Sequence, residues 1–348
     1  MEIGVGLDQG LGLSFPEQRE LIREAVALGY TSAWTPAGLA LDAFQICGQW
    51  SATATAAGGE RFGTGISVLP VPLWSAPALA ATAATTSILT GGRFILGIGT
   101  GSIYSAEWRR GFGVPEIPAV ALMRDYLVTL RHLLAGESVT HEGKAVRLRG
   151  AQIGVRAPEL PLYLGALGPQ MLRLAGEAAD GAALNWCTPE QVAWSRERIA
   201  EGARRAGRDA AAVNVTEYIR ICVDEEEDTA RRGLARALMG YALARPGASK
   251  EAGYRGHFAR MGFDAQLSEL ESRRERGAPD SELIEDFPRE LLQAVGYYGP
   301  PAGAAAAFRR LAEGLDTAIV RVVPARRDIE AVRAVMQACA PALVVGGR

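Results

Sequence analysis

The stretch Arg93-Phe-Ile-Leu-Gly-Ile-Gly-Thr-Gly-Ser102 decides the fold, because a short apolar strand runs directly into alternating glycines. Glycine has no β-carbon, so the backbone at such positions can approach another group closely. The stretch Leu162-Tyr-Leu-Gly-Ala-Leu-Gly-Pro-Gln170 repeats the pattern and leads into a helix. The first amide groups of that helix have no partner within the helix and favour phosphate. Two such junctions predict a barrel with its binding site at one rim.

Along the rest of the chain, short β-rich runs alternate with amphipathic stretches. This alternation is typical of parallel strands joined by crossover helices. Eight strands are predicted, and they are Ile3–Leu7, Ser32–Thr35, Phe62–Leu69, Phe94–Gly99, Leu162–Ala166, Gly181–Asn185, Val213–Val223 and Thr317–Val323. The pattern predicts an α/β fold, a (β/α)8 TIM barrel that forms one domain over residues 1–348.

Two departures from a plain barrel are expected. Residues 138–150 predict a β-hairpin that turns near Gly143. The connection between the seventh and eighth strands is unusually long and contains several prolines, so residues 224–295 predict a helical insertion. An insertion at the functional rim of a barrel would cover the substrate, whereas helices packed outside the barrel are the alternative.

The composition favours small-molecule chemistry. The 37 basic and 39 acidic residues nearly cancel, so no basic surface for nucleic acid or an anionic membrane is expected. The sequence enters a strand at once without a signal peptide, which predicts a cytoplasmic protein. The four cysteines are far apart, which favours buried reduced thiols over disulfides or zinc ligands, and no metal is expected.

Three segments carry a family resemblance: Gly63-Thr-Gly-Ile-Ser-Val68, Gly91-Gly-Arg-Phe-Ile-Leu-Gly-Ile-Gly-Thr-Gly101 and Pro161-Leu-Tyr-Leu-Gly-Ala-Leu-Gly-Pro-Gln-Met-Leu-Arg-Leu-Ala-Gly-Glu-Ala-Ala-Asp-Gly181. Together they resemble the luciferase-like monooxygenase superfamily, and within it the deazaflavin-dependent methylenetetrahydromethanopterin reductases and their relatives. The resemblance spans almost the whole chain. It implies a TIM barrel of the bacterial luciferase type, coenzyme F420 as the cofactor and a homodimer.

The same resemblance implies a cofactor site. The third strand of the family ends in a bulge with a cis peptide bond that presses on the flavin or deazaflavin ring, which corresponds to Ser67-Val68 here. Gly99, Thr100 and Gly101 would lie along the ring and its polyol tail. Backbone amides for the tail and its phosphate would come from four consecutive residues, Gly165, Ala166, Leu167 and Gly168.

The chain departs from the family at the residues that handle substrate and protons. Gly6, Ala37 and Ser102 stand where the methanopterin reductases carry acidic residues at strand ends. Fewer carboxyl groups leave less capacity for general acid or base work and favour a neutral, apolar substrate. Asp8, Glu217 and Ser102 are therefore the catalytic candidates, although Asp8 is equally suited to a turn and Glu217 to an ion pair with Arg220.

Aromatic residues near predicted strand ends are the substrate-binding candidates. Tyr104 and Trp108 follow the fourth strand in a loop, which favours contact with a substrate. Trp34, Trp186 and Tyr218 are candidates as well, and both tryptophans have an alternative as core residues because aromatic side chains bury large areas. The three histidines are not expected at a strand end, which disfavours a Ser-His-Asp hydrolase.

These expectations lead to one function and two alternatives. The first is an oxidoreductase that transfers a hydride between coenzyme F420 and a small, fairly apolar organic substrate. One alternative keeps the fold but binds reduced FMN, whose oxygen adduct would attack an apolar substrate. The other is a cofactor-binding homologue without catalysis, which the missing carboxyl groups suggest.

Overall fold

Parallel strands form the centre of the molecule. The computed structural model describes residues 1–103, 105–244, 250–251 and 253–346. The strands are β1 (Glu2–Gly6), β2 (Ser32–Thr35), β3 (Gly63–Pro70), β4 (Phe94–Gly99), β5 (Val139–Glu142), β6 (Arg147–Ala151), β7 (Leu162–Gly165), β8 (Gly181–Asn185), β9 (Asn214–Val223), β10 (Gly296–Gly299) and β11 (Thr317–Val322).

Eight of these strands close into a barrel, which confirms the predicted TIM fold. Hydrogen bonds join them in the order β9, β11, β1, β2, β3, β4, β7 and β8, and β8 pairs back with β9. The pairs are parallel, so the carboxyl ends of all eight strands meet at one rim. Each observed strand end either coincides with the predicted one or differs from it by one residue.

Helices surround the barrel and cover its rim. They are α1 (Phe15–Leu28), α2 (Ala43–Ala56), α3 (Ala76–Leu89), α4 (Ala106–Gly111), α5 (Ala119–Leu134), α6 (Pro169–Ala178), α7 (Pro189–Arg205), α8 (Glu227–Ala242), α9 (Gly253–Phe258), α10 (Asp264–Glu275), α11 (Asp280–Glu285), α12 (Arg289–Val295), α13 (Pro301–Leu311), α14 (Ile329–Ala338) and α15 (Pro341–Gly346).

Local sequence signals fix the helices of the outer ring. Ser14 caps α1 by accepting from the Glu17 amide while the Glu17 carboxylate accepts from the Ser14 amide, a reciprocal pair that satisfies two free donors. The helix ends at Gly29, which adopts a left-handed φ of 88°. All four cysteines are free and buried.

The last two helices form an apolar segment of 18 residues, Ile329–Gly346, with a mean hydropathy of 1.4. By length and composition this segment would suffice to cross a membrane, and 33% of it is buried. Its buried side chains Val332, Val335 and Met336 pack into the core between barrel and helices. That packing is typical of a helix in the outer ring of a barrel.

The interior of the barrel is filled by four large side chains: Trp34, Tyr163, Tyr218 and Ile319. They fit because glycines on neighbouring strands leave room. A β-carbon on Gly65 would lie 2.3 Å from the ring of Trp34, and one on Gly181 would lie 2.7 Å from the ring of Tyr163. The barrel is a packed core below its rim and leaves space for ligands only at the strand ends.

The long connection before β11 contains α8 to α12, in agreement with the predicted helical insertion. Its apolar residues, among them Phe258 and Phe287, form a second core with Trp186 and Cys222 at the ends of β8 and β9. The insertion therefore packs on the barrel at the rim of these two strands. The antiparallel pair of β5 and β6 spans residues 139–151, one residue beyond the end of the region predicted as a hairpin.

The strand β10 and the helix α13 were not predicted. The strand pairs in parallel with Arg220 to Val223, above the point where β8 ends, so β9 has different neighbours along its two halves. The short sequence Gly-Tyr-Tyr-Gly lacks the branched residues that indicate a strand, and the following Pro300-Pro301 resembles a loop. Pairing with the exposed upper half of β9 overrides these local signals.

Candidate functional site

The rim of β3 carries the predicted bulge. The peptide bond between Ser67 and Val68 is cis, as expected, and the register with β4 shifts between Ile66 and Leu69. The Val68 side chain is pushed against two glycines on the neighbouring strands. A β-carbon would lie 2.6 Å from Val68 Cγ2 at Gly99 and 3.3 Å from it at Gly165. The predicted glycines therefore provide clearance for Val68.

A cavity of ≈ 310 Å³ opens beside this bulge. It brings together four of the predicted site residues, Val68, Gly101, Ser102 and Trp108. The remaining lining residues are small or apolar, and they are Ala37, Gly38, Leu39, Pro70 and Leu73. An apolar lining with one hydroxyl suits a flat organic ring or an apolar substrate. Among the other predicted site residues, Thr100 directly precedes Gly101 in the sequence, and Tyr104 lies outside the described residues.

The loop after β7 leads into the first turn of α6. Gly168 is the N-cap and offers no side chain to the free amides of the helix. A β-carbon on Gly168 would meet no atom within 4 Å, so this end of the helix is open. Arg260 from the insertion lies beside the loop and donates to the Leu167 carbonyl over 3.4 Å. Free amides, a helix N-terminus and a guanidinium together favour an anion.

One of the four predicted amides is already used. The Ala166 amide donates to the Ala183 carbonyl on β8 at 3.1 Å, and the residue is buried. The expectation that Ala166 supplies its amide to a phosphate is therefore wrong, because strand pairing continues one residue beyond the end of β7.

Asp8 follows β1 and has two partners. Its Oδ1 accepts from the Gly10 amide at 2.7 Å, and its Oδ2 is in direct contact with the guanidinium of Arg321. The first contact is the turn that the sequence suggested. The second holds the carboxylate at the mouth of the barrel as an ion-pair partner.

Glu217 lies on the face of β9 opposite to Tyr218, because successive side chains on a strand alternate. Its Oε1 accepts from the Cys187 amide at 2.6 Å, and its Oε2 has no partner among the described residues. Burial raises the pKa of Glu217 to about 8. Tyr218 points into the barrel, so Glu217 points away from it. This position does not support the expected role as a proton donor to substrate, nor a direct ion pair with Arg220.

The two tryptophan candidates are core residues in this structure. Trp34 is 1% exposed, and its Nε1 donates to Ser32 Oγ at 2.8 Å. Trp186 has no exposed surface and adopts a φ of 59°, which is rare for a residue with a side chain. It lies beneath the insertion, with the guanidinium of Arg220 3.7 Å from its ring centroid.

Tyr218 has a position that suits contact with a ligand. It is 4% exposed, and its hydroxyl has no hydrogen-bond partner among the described residues. Burial raises the pKa of Tyr218 well above its usual range, so the hydroxyl keeps its proton and remains a donor. A buried hydroxyl without a partner is costly unless another group binds to it.

Two arginines lie in the mouth of the barrel, and the sequence analysis named neither as a site residue. Arg220 and Arg321 lie directly opposite each other in the pairing of β9 with β11, and they are 4% and 5% exposed. Both stand two residues after an interior side chain, Tyr218 and Ile319, and therefore point inward. Alternation with these interior residues was the signal that could have identified them.

His257 also corrects an expectation. It belongs to the insertion, far from any strand in sequence, yet its Nε2 lies 2.9 Å from the Trp186 carbonyl at the end of β8. Burial lowers the pKa of His257 to about 4, so the imidazole is neutral. The packing of the insertion on the rim brings it there, which spacing along the chain does not indicate.

Comparison with known proteins identifies relatives of the whole barrel. The sequence profile of the luciferase-like monooxygenases matches residues 2–318. A 5,10-methylenetetrahydromethanopterin reductase of Archaeoglobus fulgidus is 33% identical over 174 residues, which is 50% of this chain and 51% of that protein. The chain thus aligns with only about half the length of this relative.

Two further comparisons extend over most of the chain. A Mycobacterium tuberculosis protein named provisionally as a coenzyme F420-dependent oxidoreductase is 27% identical over 315 residues, 84% of this chain and 87% of that protein. The structure of the coenzyme F420-dependent tetrahydromethanopterin reductase of Methanopyrus kandleri superimposes with a TM-score of 0.77. It is 21% identical and covers 98% of this chain and 99% of its own, a likeness that concerns the fold.

Proposed function

We propose that this chain, which belongs to the luciferase-like monooxygenase family, is an oxidoreductase that uses coenzyme F420 to transfer a hydride to or from a small organic substrate. The observation that carries the proposal is the rim formed by β3, β4 and β7. There the Val68 bulge and the glycines that leave room for it lie on adjacent strands, and the open end of α6 follows the last of them. Two of the relatives described above are named for coenzyme F420, which supports this cofactor over FMN.

The residues present suit a deazaflavin with a phosphorylated tail. The cavity beside Val68 has the apolar lining that a flat ring requires, and Gly99 and Gly101 keep the β4 loop close to it. The tail would continue along Gly165 to the free amides at Gly168, where Arg260 would pair with its phosphate. When bound, a deazaflavin supplies a ring carbon that accepts or releases hydride.

The protein would contribute placement and the exclusion of water. Leu39, Leu73 and Trp108 would cover the apolar part of the substrate on the open side of the cavity. Ser102 would offer a hydroxyl to a polar group of the substrate. Alignment of the two reactants in a dry cavity is what makes hydride transfer efficient.

A binding titration tests the proposal. Purified protein is titrated with coenzyme F420 and, separately, with FMN, and binding is followed by the fluorescence of each cofactor. We expect saturable binding of F420 that is at least about tenfold tighter than binding of FMN. Tighter binding of FMN, together with oxygen consumption on reduction, would instead support the monooxygenase alternative. Tight binding of F420 without turnover over a broad substrate panel would support the homologue without catalysis.

A further inference from the structure

The paired arginines in the mouth of the barrel give it an excess of positive charge. Arg220 and Arg321 stand directly opposite each other on adjacent parallel strands, and both are more than nine-tenths buried. Like charges on neighbouring strand positions destabilise a sheet, and buried charge is costly unless it is paired. Two cations side by side at the rim therefore require an explanation.

Arg321 has one carboxylate partner, Asp8, and a free edge. Its guanidinium carbon lies 4.7 Å from the centroid of the Tyr218 ring, and its Nη1 is buried without a hydrogen-bond partner among the described residues. The Tyr218 hydroxyl lies near the Ser67 side chain but makes no well-formed hydrogen bond with any described residue. Two neighbouring interior side chains thus each carry an unused donor.

Arg220 is held by neutral groups. Its Nη1 donates to Asn185 Oδ1 and, over 3.2 Å, to the Tyr218 carbonyl, and its guanidinium stacks on the Trp186 ring. Glu217, on the opposite face of β9, binds the Cys187 amide instead. Among the described residues, the inner mouth therefore holds two guanidinium groups and one carboxylate, Asp8, which contacts Arg321 alone.

We propose that Arg220, Arg321 and Tyr218 form a subsite for a carboxylate group of the substrate. A guanidinium presents parallel donors that match the two oxygens of a carboxylate, and a phenol hydroxyl adds a third donor. The carboxylate supplies the missing negative charge, so the cost of burying two cations is offset on binding. The body of the molecule would extend from the subsite toward the apolar residues Leu39 and Trp108, which line a cavity at the same rim.

The substrate class follows from this arrangement. It is an organic acid with an apolar body, which refines the fairly apolar substrate expected from the sequence. This substrate class rests on the proposed function only for the reaction that follows binding. Binding of the carboxylate depends on residues of this chain and not on the cofactor.

The test measures binding of benzoate by isothermal titration calorimetry, with benzyl alcohol as a neutral molecule of similar shape. The proteins are the unaltered chain, Arg321→Gln, Arg220→Gln and the control Arg326→Gln, which removes the same charge from an exposed arginine paired with Asp224. We expect the first two variants to bind benzoate at least about tenfold more weakly. The control should bind it as the unaltered protein does, and benzyl alcohol should not distinguish the proteins.

Loss of fold is separated from loss of the subsite by two further variants. Arg321→Lys keeps the charge but not the planar fork, and should recover part of the affinity. Asp8→Asn combined with Arg321→Gln removes both partners of the ion pair, and should match Arg321→Gln in benzoate binding while its circular-dichroism melt stays close to that of the unaltered protein.

Two results would overturn the subsite. The first is that the unaltered chain binds no benzoate, with or without coenzyme F420. The second is that the arginine variants lose F420 affinity but keep benzoate affinity, which would make the arginines partners of the acidic cofactor tail. Benzoate binding without F420 binding would leave the subsite standing and contradict the proposed function.

Discussion

Asn185, the last residue of β8, donates a hydrogen bond from Nδ2 to the Tyr254 hydroxyl oxygen at 2.6 Å. The same amide group accepts from Arg220 through Oδ1. Asn185 thus joins helix α9 of the insertion to a buried guanidinium in the barrel mouth. Through this bond the insertion holds the amide that accepts from Arg220, and it also packs on the rim at β8 and β9.

Removal of the Tyr254 hydroxyl tests this connection. Tyr254→Phe should lower benzoate affinity about fivefold, because a lost hydrogen bond of about 1 kcal/mol leaves the Asn185 amide free to turn away from Arg220. The measurement is the benzoate dissociation constant by calorimetry. Tyr241→Phe is the matched control, since its ring packs on Tyr254 at a centroid distance of 4.8 Å. Equal losses in both variants would contradict the role of Asn185.

A larger residue at the end of α6 should block cofactor binding without harming the fold. Gly168→Val adds a side chain where a β-carbon meets no atom within 4 Å, at an ordinary φ of −95°. We expect F420 affinity to fall by at least about tenfold while the circular-dichroism melt is unchanged. Gly154→Val, at another open position away from the rim, is the control. Unchanged F420 affinity in Gly168→Val would show that the phosphate of the cofactor does not bind at this end of the helix.

The guanidinium of Arg260 should contribute charge to the same end of the cofactor. Arg260→Ala is expected to weaken F420 binding about tenfold and to make that binding less sensitive to salt, because one screened charge pair is lost. Titrations at low and high ionic strength measure both effects. Arg276→Ala removes an exposed arginine elsewhere in the same insertion, paired with Glu269, and should change neither. Identical salt dependence in both variants would show that Arg260 does not face the tail.

Ionisation of Glu217 should make stability depend on pH. The pKa of this buried carboxyl is about 8, against an ordinary value of 4.5, so the folded protein binds the proton more tightly than the unfolded chain. The contribution of Glu217 to stability is therefore fully present below its unfolded pKa and falls as pH rises between these values, by about 1.4 kcal/mol per unit.

Glu217→Gln removes this titration and keeps an acceptor for the Cys187 amide. The difference in free energy of unfolding between this variant and the unaltered protein should shift in favour of the variant as pH rises from 5 to 8. Urea denaturation at each pH measures it. Glu313→Gln, at an exposed position, should follow the unaltered protein. Parallel pH curves for Glu217→Gln and the unaltered chain would show that this carboxyl ionises normally.

Much of the barrel was predictable because its signals are local. Strands such as Phe94–Gly99 and Gly181–Asn185 were predicted at their observed bounds, since apolar runs followed by glycine or an N-cap define them over a few residues. The cis bond at Ser67-Val68 and the clearance at Gly99 were accessible through the family resemblance.

The residues that line the mouth depend on contacts that no local pattern contains. Arg220 and Arg321 are 101 positions apart, and only the register of β9 with β11 places them side by side. Glu217 points out of the barrel because its neighbour Tyr218 points into it. Which of the two points inward is decided only when the barrel closes. His257 reaches β8 because the whole insertion docks there.

The divided pairing of β9 has a consequence for how this protein diversifies. The first half of β9 pairs with β8, and its second half pairs with β10. This side of β9 therefore stays paired whatever helices connect β9 to β10. Evolution can therefore lengthen, shorten or exchange the helices α8 to α12 without leaving an unpaired strand edge. Because the insertion reaches the mouth through Tyr254 and Asn185, such changes can alter the surroundings of Arg220 while β3, β4 and β7 stay as they are.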